Sequence, residues 1–388
     1  MNESESSVAQ SRSDSEPLQW LFDPSLLGLC GMSVLLVIAG GLIQVSFGAY
    51  QMSIKEAWQA VFNPAVLFDL RWLFKFTLGE SLMRSITGFT GTLPSLDTST
   101  TVVWNIRLPR VLLAVFVGMN LAVSGAIFQA VTRNELASPF VLGISHGAGL
   151  VILLTLVVFT GLTALLPIVA ALGGAVAFAI VYAIAWKNGT SPVRLVLAGI
   201  IVATVFQSLQ RALFFFATDI GTAQTAMAWM TGSLTGVGWT QFRMALPWTI
   251  LVAGLSIVSA RQLNVLLLGQ RTAKSLGMSV ERVRFALSGV AVLAAAVSIA
   301  VAGVVSFVGL IVPHLVRTIV GNDHKKLIVG CLFAGPALMV IADVGARLGL
   351  PILAGATNQQ LPVGVVTGLI GGPYFLYLMR KRRQLGDV

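Results

Sequence analysis

The side chains that could do chemistry are few, and their spacing suits holding a partner better than breaking a bond. Arg107-Leu108-Pro109-Arg110 puts two guanidinium groups at i, i+3 spacing on one helix face, with proline suited to a helix's first turn. Two fixed cations at the mouth of a helix can receive carboxylates through paired hydrogen bonds. The alternative is anchoring, with the side chains snorkelling to lipid headgroups. His146, His314 and His324 are far apart and lack a metal-ligand partner at i+4, so no metal site is expected. His314 follows Pro313 inside an apolar run, where a hydrogen-bonded structural histidine is the expectation. Asp343 also lies within an apolar run. Carboxylates in such places are functional suspects, and simple pairing with a nearby cation or backbone group is the other reading. Gly269–Ser275 (GQRTAKS) has the flavour of a phosphate loop, but Lys274 stands where the motif needs its second glycine and no strand precedes it. No nucleotide or other cofactor is therefore expected on this chain, and no catalytic residue either. Any ATP and magnesium would sit on another subunit.

The elements that must position these groups follow from composition. The chain has 388 residues, 56% of them hydrophobic and only 10% charged, and a mean hydropathy of +0.87. Soluble domains carry roughly 25% charged residues, so this chain lacks the polar surface to cover a water-facing globule. Apolar runs of the ~20 residues needed to cross a bilayer recur from about residue 26 onward. The 39 glycines suit close helix–helix approach in lipid. The expected fold is an all-α membrane protein with about ten transmembrane helices, near 26–46, 108–131, 139–159, 165–186, 193–216, 241–259, 284–303, 305–320, 326–345 and 362–379. Residues 1–25, polar, Ser-rich and acidic, read as a disordered tail, 26–380 as one ten-helix membrane domain, and 381–388 as a second tail. Thr218–Leu234 is too polar to span and is expected as a short helix at the membrane surface or capping a cavity. Cys30 and Cys331 read as free thiols.

Lysine and arginine set the orientation. With the N-terminus inside, one face receives Arg133, Lys187, Arg194, Arg261, Arg271, Lys274, Arg282, Arg284, Arg317, Lys325, Lys326 and the Arg380–Arg383 cluster. A multi-pass protein of the cell membrane with both termini cytoplasmic is expected. The net charge of +10 belongs to these loops and forms no stripe with interleaved aromatics, so no nucleic-acid partner is expected. Arg107, Arg110 and Arg347 break the trend by flanking spans on the outside. The segment 47–105 is expected to lie outside too, with Leu67–Phe76 as an amphipathic helix either on the outer leaflet, Arg71 and Lys75 facing headgroups, or against a partner. Inside, Leu266–Leu276 and Ser279–Arg284 read as two short helices broken at Gly277. Such a compact charged loop either docks on a cytoplasmic partner or is an ordinary surface loop.

Together these stretches resemble the FecCD-type permeases of ABC importers, which include cobalamin, haem and ferric-siderophore permeases. The matching segments run from Ile106–Gly149 (IRLPRVLLAVFVGMNLAVSGAIFQAVTRNELASPFVLGISHGAG) through Val193–Ile200, Ala273–Arg284, Gly303–Arg317, Ile341–Gly349 and Leu361–Leu378, in order and correctly spaced. The resemblance implies the type II importer permease fold: ten helices per subunit, a homodimer, and a substrate path on the dimer axis lined by the fifth and tenth spans and the short helix after the fifth. It implies two cytoplasmic ATPase subunits and an extracytoplasmic binding protein as partners, besides membrane lipid.

By position, Arg107, Arg110 and Arg347 match the outer arginines that hold glutamates of the binding protein. Asn134 and Leu136 match one cytoplasmic gate, and Thr190 and Ser191 a second. The family commonly has Asn-Pro-Leu at the first gate; here Glu135 replaces the proline, adding a charge and loosening the backbone. The loop at about Leu263–Arg284 matches the ATPase coupling helices, with Leu266, Leu267, Gly269, Lys274, Leu276, Gly277, Met278 and Arg282 at the contact. Gln207, Gln210 and Arg211 are path candidates by position alone. The implied cargo is an iron complex, a ferric siderophore first, with cobalamin or haem as alternatives in the same transporter type. An ion-coupled secondary carrier is the rival class, opposed by the coupling-type loop and the scarcity of intramembrane acids. An intramembrane enzyme ranks last, for want of paired carboxylates or a nucleophile–base pair.

Overall fold

A computed structural model describes residues 19–384 apart from 49, 51, 188, 217–218 and 356–359. Most of the expected N-terminal tail (1–18) and the last four residues lie outside that range. Residues 19–25 are not a tail: a 3-10 turn (Gln19–Phe22) leads into α1 (Pro24–Ser46), where Asp23 accepts the amide hydrogen of Ser25 as an N-cap. Four short helices follow, α2 (Ile54–Val61), α3 (Pro64–Leu67), α4 (Leu70–Thr77) and α5 (Glu80–Thr87), then α6 (Thr98–Val102). A π turn (Val103–Arg107) joins α6 to α7 (Leu108–Thr132), so the second span is helical from Thr98 onward. The remainder are α8 (Ile144–Val157), α9 (Leu166–Ala185), α10 (Pro192–Phe214), α11 (Ile220–Thr231), α12 (Trp239–Leu267), α13 (Gln270–Ser275), α14 (Val280–Ala302), α15 (Val308–Val320), α16 (His324–Ala354) and α17 (Val363–Gln384).

Among the described residues, seven helices are long and apolar enough to cross a bilayer, and three shorter apolar ones (Ile144–Val157, Val308–Val320 and Val363–Tyr377) fill the other expected positions. The ten expected spans thus each find an apolar helix. The ion pair of Asp23 with Lys326 puts the starts of α1 and α16 at one end of the bundle. Gln44, late in α1, donates to Asp343, late in α16, at the opposite end. The first is the terminal end of the bundle and the second its far end.

Helix α7 is the hub, buried along most of its length like α14 and α16, whereas α1, α10 and α12 leave most of their apolar length uncovered. Lipid gives apolar helices no hydrophobic reason to associate, so close packing and interhelical hydrogen bonds must do it. A β-carbon at Gly125 of α7 would lie 1.7 Å from the Gly309 carbonyl oxygen of α15; only glycine permits that contact. Ser124 donates to the Ala291 carbonyl of α14 (2.6 Å) and Asn120 to the Thr249 hydroxyl of α12 (2.9 Å), all buried. Cys30 and Cys331 are free.

The structure corrects two expected element boundaries. Helix α12 runs on to Leu267, because Leu263 and Leu266 keep its buried face supplied, and it ends before Gly269, whose φ of +108° breaks the helix. The first short helix is therefore only α13, and the expected second one, Ser279–Arg284, is the cap and first turn of α14. In the far-end segment, Leu67–Phe76 is not one helix. It is split at Asp69, which caps α4 by accepting from the Arg71 amide. Arg71 pairs with that same carboxylate at 2.7 Å and lies over the Phe89 ring, while Lys75 lies over the Trp72 ring. Both cations are thus partnered within the segment. An aromatic stack of Trp72, Phe76, Trp104 and Trp239 pins it to the bundle, helped by Trp104 Nε1 donating to the Ala60 carbonyl and Trp239 Nε1 to the Trp104 carbonyl.

Candidate functional site

The three arginines expected to act together do come together, at the far end, where α1, α7 and α16 meet. Arg110 makes a bidentate pair with Asp343, Nε to Oδ2 and Nη2 to Oδ1, both 2.8 Å, and donates from Nη1 to the Gln360 side-chain oxygen at 2.7 Å. Asp343 therefore takes the simpler of its two readings, a carboxylate paired with a cation. It also accepts from Gln44. Arg107 donates to the carbonyls of Val45 and Tyr50, and Arg347 to the carbonyl of Gln44 at 2.9 Å. A β-carbon at Gly48 would lie 2.1 Å from Arg347 Nη2 and 3.1 Å from Arg107 Nη2, so the chain after α1 passes directly over both guanidinium groups. All three arginines are buried in the isolated chain, at 2%, 8% and 9% exposure. The cluster holds three cations and, within it, one acid; Arg107 and Arg347 are held by carbonyl oxygens.

At the terminal end, Asn134 and Leu136 sit in the tight loop after α7. Arg133 caps α7 in the left-handed region at φ 49°, and the Asn134 side chain accepts the Leu136 amide hydrogen at 2.9 Å. Leu136 is exposed. Glu135 reaches α15: its oxygens lie 3.6 Å from His314 Nδ1 and 3.7 Å from Arg317 Nη1, and Arg317 also donates to Gln129 at 3.1 Å. His314 thus has a carboxylate beside it, at a separation longer than the hydrogen bond expected for a structural histidine. Thr190 and Ser191 precede α10. Ser191 is its N-cap, accepting from the Arg194 amide at 3.2 Å, and Thr190 is buried.

Between the terminal loops lies α13. Of the expected contact residues, Leu267, Lys274, Leu276, Gly277 and Arg282 are exposed, Gly269 and Met278 are half-buried, and Leu266 is turned into the core. With exposed Leu268, they form an apolar and basic knob at the terminal end.

The path candidates separate. Gln210 is buried, its amide donating to the His146 carbonyl of α8, whereas Gln207 and Arg211 are exposed. Sequence reasoning missed their neighbours Thr204 and Ser208, also exposed. The four positions 204, 207, 208 and 211 share one helix face by their i, i+3, i+4, i+7 spacing, which was the available signal. One turn further toward the terminal end the same face becomes apolar and stays exposed at Ile200, Leu197 and Val193. A polar stripe on a membrane helix is costly against hydrocarbon, so this face of α10 is built to meet water or a protein partner. Helix α11, as expected, is a short helix after the fifth span, with Gln224 and Thr225 exposed.

Comparison with known proteins agrees with this architecture. Residues 33–381 match the FecCD transport family. The chain is 38% identical over 285 residues to the Fe(3+)-citrate import system permease of Bacillus subtilis (73% of this chain, 83% of the relative). It is 40% identical over 292 residues to the cobalamin import system permease of Halobacterium salinarum (74% and 75%), and 39% identical over 289 residues to the hemin transport system permease of Yersinia pestis (73% and 84%). A solved chain described as an inward-facing, metal-chelate-type ABC transporter superposes with a TM-score of 0.72 at 26% identity, covering 92% of this chain and 98% of its own. The long far-end segment and the arginine cluster therefore sit on a type II importer permease scaffold, and the chain belongs to the FecCD transport family as a membrane permease of an ABC importer, not an enzyme.

Proposed function

We propose that this chain forms the membrane path for an iron complex, a ferric siderophore first, in an importer driven by ATP on separate subunits. The observation that carries this reading is the α10 face, polar at Thr204, Gln207, Ser208 and Arg211 and apolar from Ile200 to Val193. Two copies facing each other across an axis would enclose a path that is polar toward the far end and closes on hydrocarbon side chains toward the terminal end. Such a homodimer buries the uncovered face of α10 and leaves α1 and α12 toward lipid. The choice of an iron complex is supported by relatives named for Fe(3+)-citrate, iron(3+)-hydroxamate and achromobactin transport, beside one for cobalamin and one for hemin.

In this reading the terminal end is cytoplasmic, as the lysine and arginine bias requires. The α13 knob seats in a cleft of each ATPase subunit, where ATP and magnesium are held. The loops at Asn134–Leu136 and Thr190–Ser191 close the path on that side. The arginine cluster receives carboxylates of an extracytoplasmic binding protein. Arg107 and Arg347, held by carbonyl oxygens, are the natural recipients, while Arg110 is spoken for by Asp343. Reaching them requires the backbone that carries Gly48 and Tyr50 to move aside.

The test is uptake into proteoliposomes containing this chain and its ATPase partner, with the binding protein outside. ATP-dependent accumulation of ⁵⁵Fe supplied as a siderophore complex is expected, with no accumulation when the ATPase is omitted. Uptake driven by a proton gradient alone would overturn the importer reading. Accumulation of haem or cobalamin in place of the iron chelate would change the cargo and leave the mechanism.

A further inference from the structure

The two gate loops lie far apart in sequence, yet each is tied by a charged side chain to one flank of α13. The first tie is Arg133, the residue that opens the Asn134–Leu136 loop. Its Nη2 donates to the carbonyls of Leu266 (2.7 Å) and Leu267 (2.9 Å), the last residues of α12. Helix C-termini leave such carbonyls without partners and carry partial negative charge, so a guanidinium is well suited to this position. The group also lies under the turn into α13: a β-carbon at Gly269 would be 3.4 Å from Arg133 Nη2.

The second tie is at the start of α14. Glu281 Oε2 accepts from both the amide (3.0 Å) and the hydroxyl (2.7 Å) of Thr190. Arg284 returns the contact, its Nη1 donating to the Thr190 carbonyl at 2.7 Å and to the hydroxyl at 3.0 Å, and to Glu281 at 3.1 Å. Every polar atom of Thr190 is thus held by one charged pair. Arg284 is 2% exposed and Thr190 is buried, so water is kept from the Arg284 side of the clamp, while the Glu281 side chain stays about one-third exposed (34%). Arg194 secures the same loop from the other side by donating to the Gly189 carbonyl at 2.8 Å.

We propose that Arg133 and the Glu281–Arg284 pair are the positioning residues that carry a displacement of α13 to the two gates. The ties differ in kind. Arg133 is solvent-exposed and grips backbone carbonyls at a helix end, a contact that can slide. The Thr190 clamp holds every polar atom of a buried residue between two charged side chains, one of them buried, so the second gate moves as a rigid extension of α14. A pull on α13 therefore moves the Thr190–Ser191 gate directly and the Asn134–Leu136 gate with slack.

This inference rests on the importer reading, and the test separates the two. The complete importer, with ATPase subunits and binding protein, is reconstituted in proteoliposomes, and ATP hydrolysis and substrate uptake are measured together. If the unaltered importer does not couple hydrolysis to uptake, the functional reading fails. If it does, Glu281→Gln and Thr190→Val are expected to keep hydrolysis within about twofold while uptake per ATP falls about tenfold, with Thr190→Ser restoring it. Arg133→Gln is expected to lower the ratio about threefold, with Arg133→Lys recovering part. Thr190→Ser keeps the fold while probing the same clamp, so poor assembly of Glu281→Gln does not blunt the test: equal coupling in Thr190→Val and Thr190→Ser overturns the proposal. An unchanged ratio throughout, or a loss of hydrolysis in step with uptake, also overturns it, the latter assigning these residues to ATPase docking alone.

Discussion

At the far end, three arginines and an aspartate are buried where α1, α7 and α16 converge, and their partners come from helices, from the chain immediately following α1 and, at Gln360, from the stretch before α17. At the terminal end, charged side chains reach from short loops to neighbouring helix ends, and Arg133 and Glu135 are in contact with solvent. Both ends use arginine, but the surroundings differ. A buried bidentate pair has no water to fall back on, so it fixes the helices it joins; an exposed guanidinium on a carbonyl can let go and be rehydrated at little cost. The far end is thus organised as a fixed platform and the terminal end as a set of joints. Within that end the Thr190 clamp is the exception, a buried tie among looser ones.

The contrast breaks most readily at Asp343. Replacing it with alanine strands Arg110 in the core and is expected to cost about 3–5 kcal/mol, the range for a buried charge left without its partner. The thermal midpoint of the purified chain should drop accordingly, or the chain should fail to accumulate. The double variant Arg110→Met with Asp343→Leu should recover much of that loss, because no charge is left stranded. A double variant as unstable as the single one would mean that the platform depends on the shape of the ion pair and not on its charge.

The terminal end should respond less in stability than in transport. Arg133→Ala removes two hydrogen bonds from an exposed cation, and about 1 kcal/mol is expected, read as a small fall in the same thermal midpoint. A loss matching that of Asp343→Ala would erase the distinction between platform and joint.

How much of this was legible in the sequence depends on the distance over which each contact forms. The ten apolar helices, the short α11 and the break at Gly277 follow from local periodicity and from glycine, and all were readable. The spacing of Arg107 and Arg110 correctly put them on one face, but not which way that face turned. The side-chain partners of Arg110, Asp343 and Gln360, lie 233 and 250 residues away, and no local pattern names them. The same holds for Thr190 and Glu281, 91 residues apart, so the span holding Glu281 and Arg284 was legible only as part of a coupling-type loop, with no sign of its tie to Thr190. The end of α12 was misread for a different reason. Arg261 and Gln262 looked like the start of a loop, yet Leu263 and Leu266 continued the buried face beneath them. Arg71 and Lys75 have the spacing of a headgroup-facing pair, but nearby Asp69, Phe89 and Trp72 claimed them first.

Glu135 sharpens the comparison on a finer scale. Glu135→Gln removes the charge facing His314 and Arg317 across 3.6 and 3.7 Å. Contacts of that length at a partly exposed site are worth less than about 1 kcal/mol. The shift in thermal midpoint should therefore be small in dilute buffer and vanish in 1 M salt, where screening acts within about 3 Å. A shift that survives high salt would mark the loop as part of a buried network, like the Thr190 clamp.

The smallest effect is expected in the far-end segment, and its sign is fixed by its carboxylates. Asp69 is held below its ordinary value mainly by the hydrogen bond from Arg71, and Asp97 mainly by those from Thr100. A carboxyl whose folded pKa is depressed contributes stability above its unfolded value, and loses it only as the pH falls through the folded one. The contribution is therefore intact from neutral pH down to about 4 and fades below that. Emission from the stacked Trp72, Trp104 and Trp239 should stay constant between pH 8 and about pH 5 and change only in stronger acid. Asp69→Asn and Asp97→Asn should flatten that acid response. A transition near pH 6 instead would mean that groups outside this segment control its docking, and the far end would then have a joint of its own.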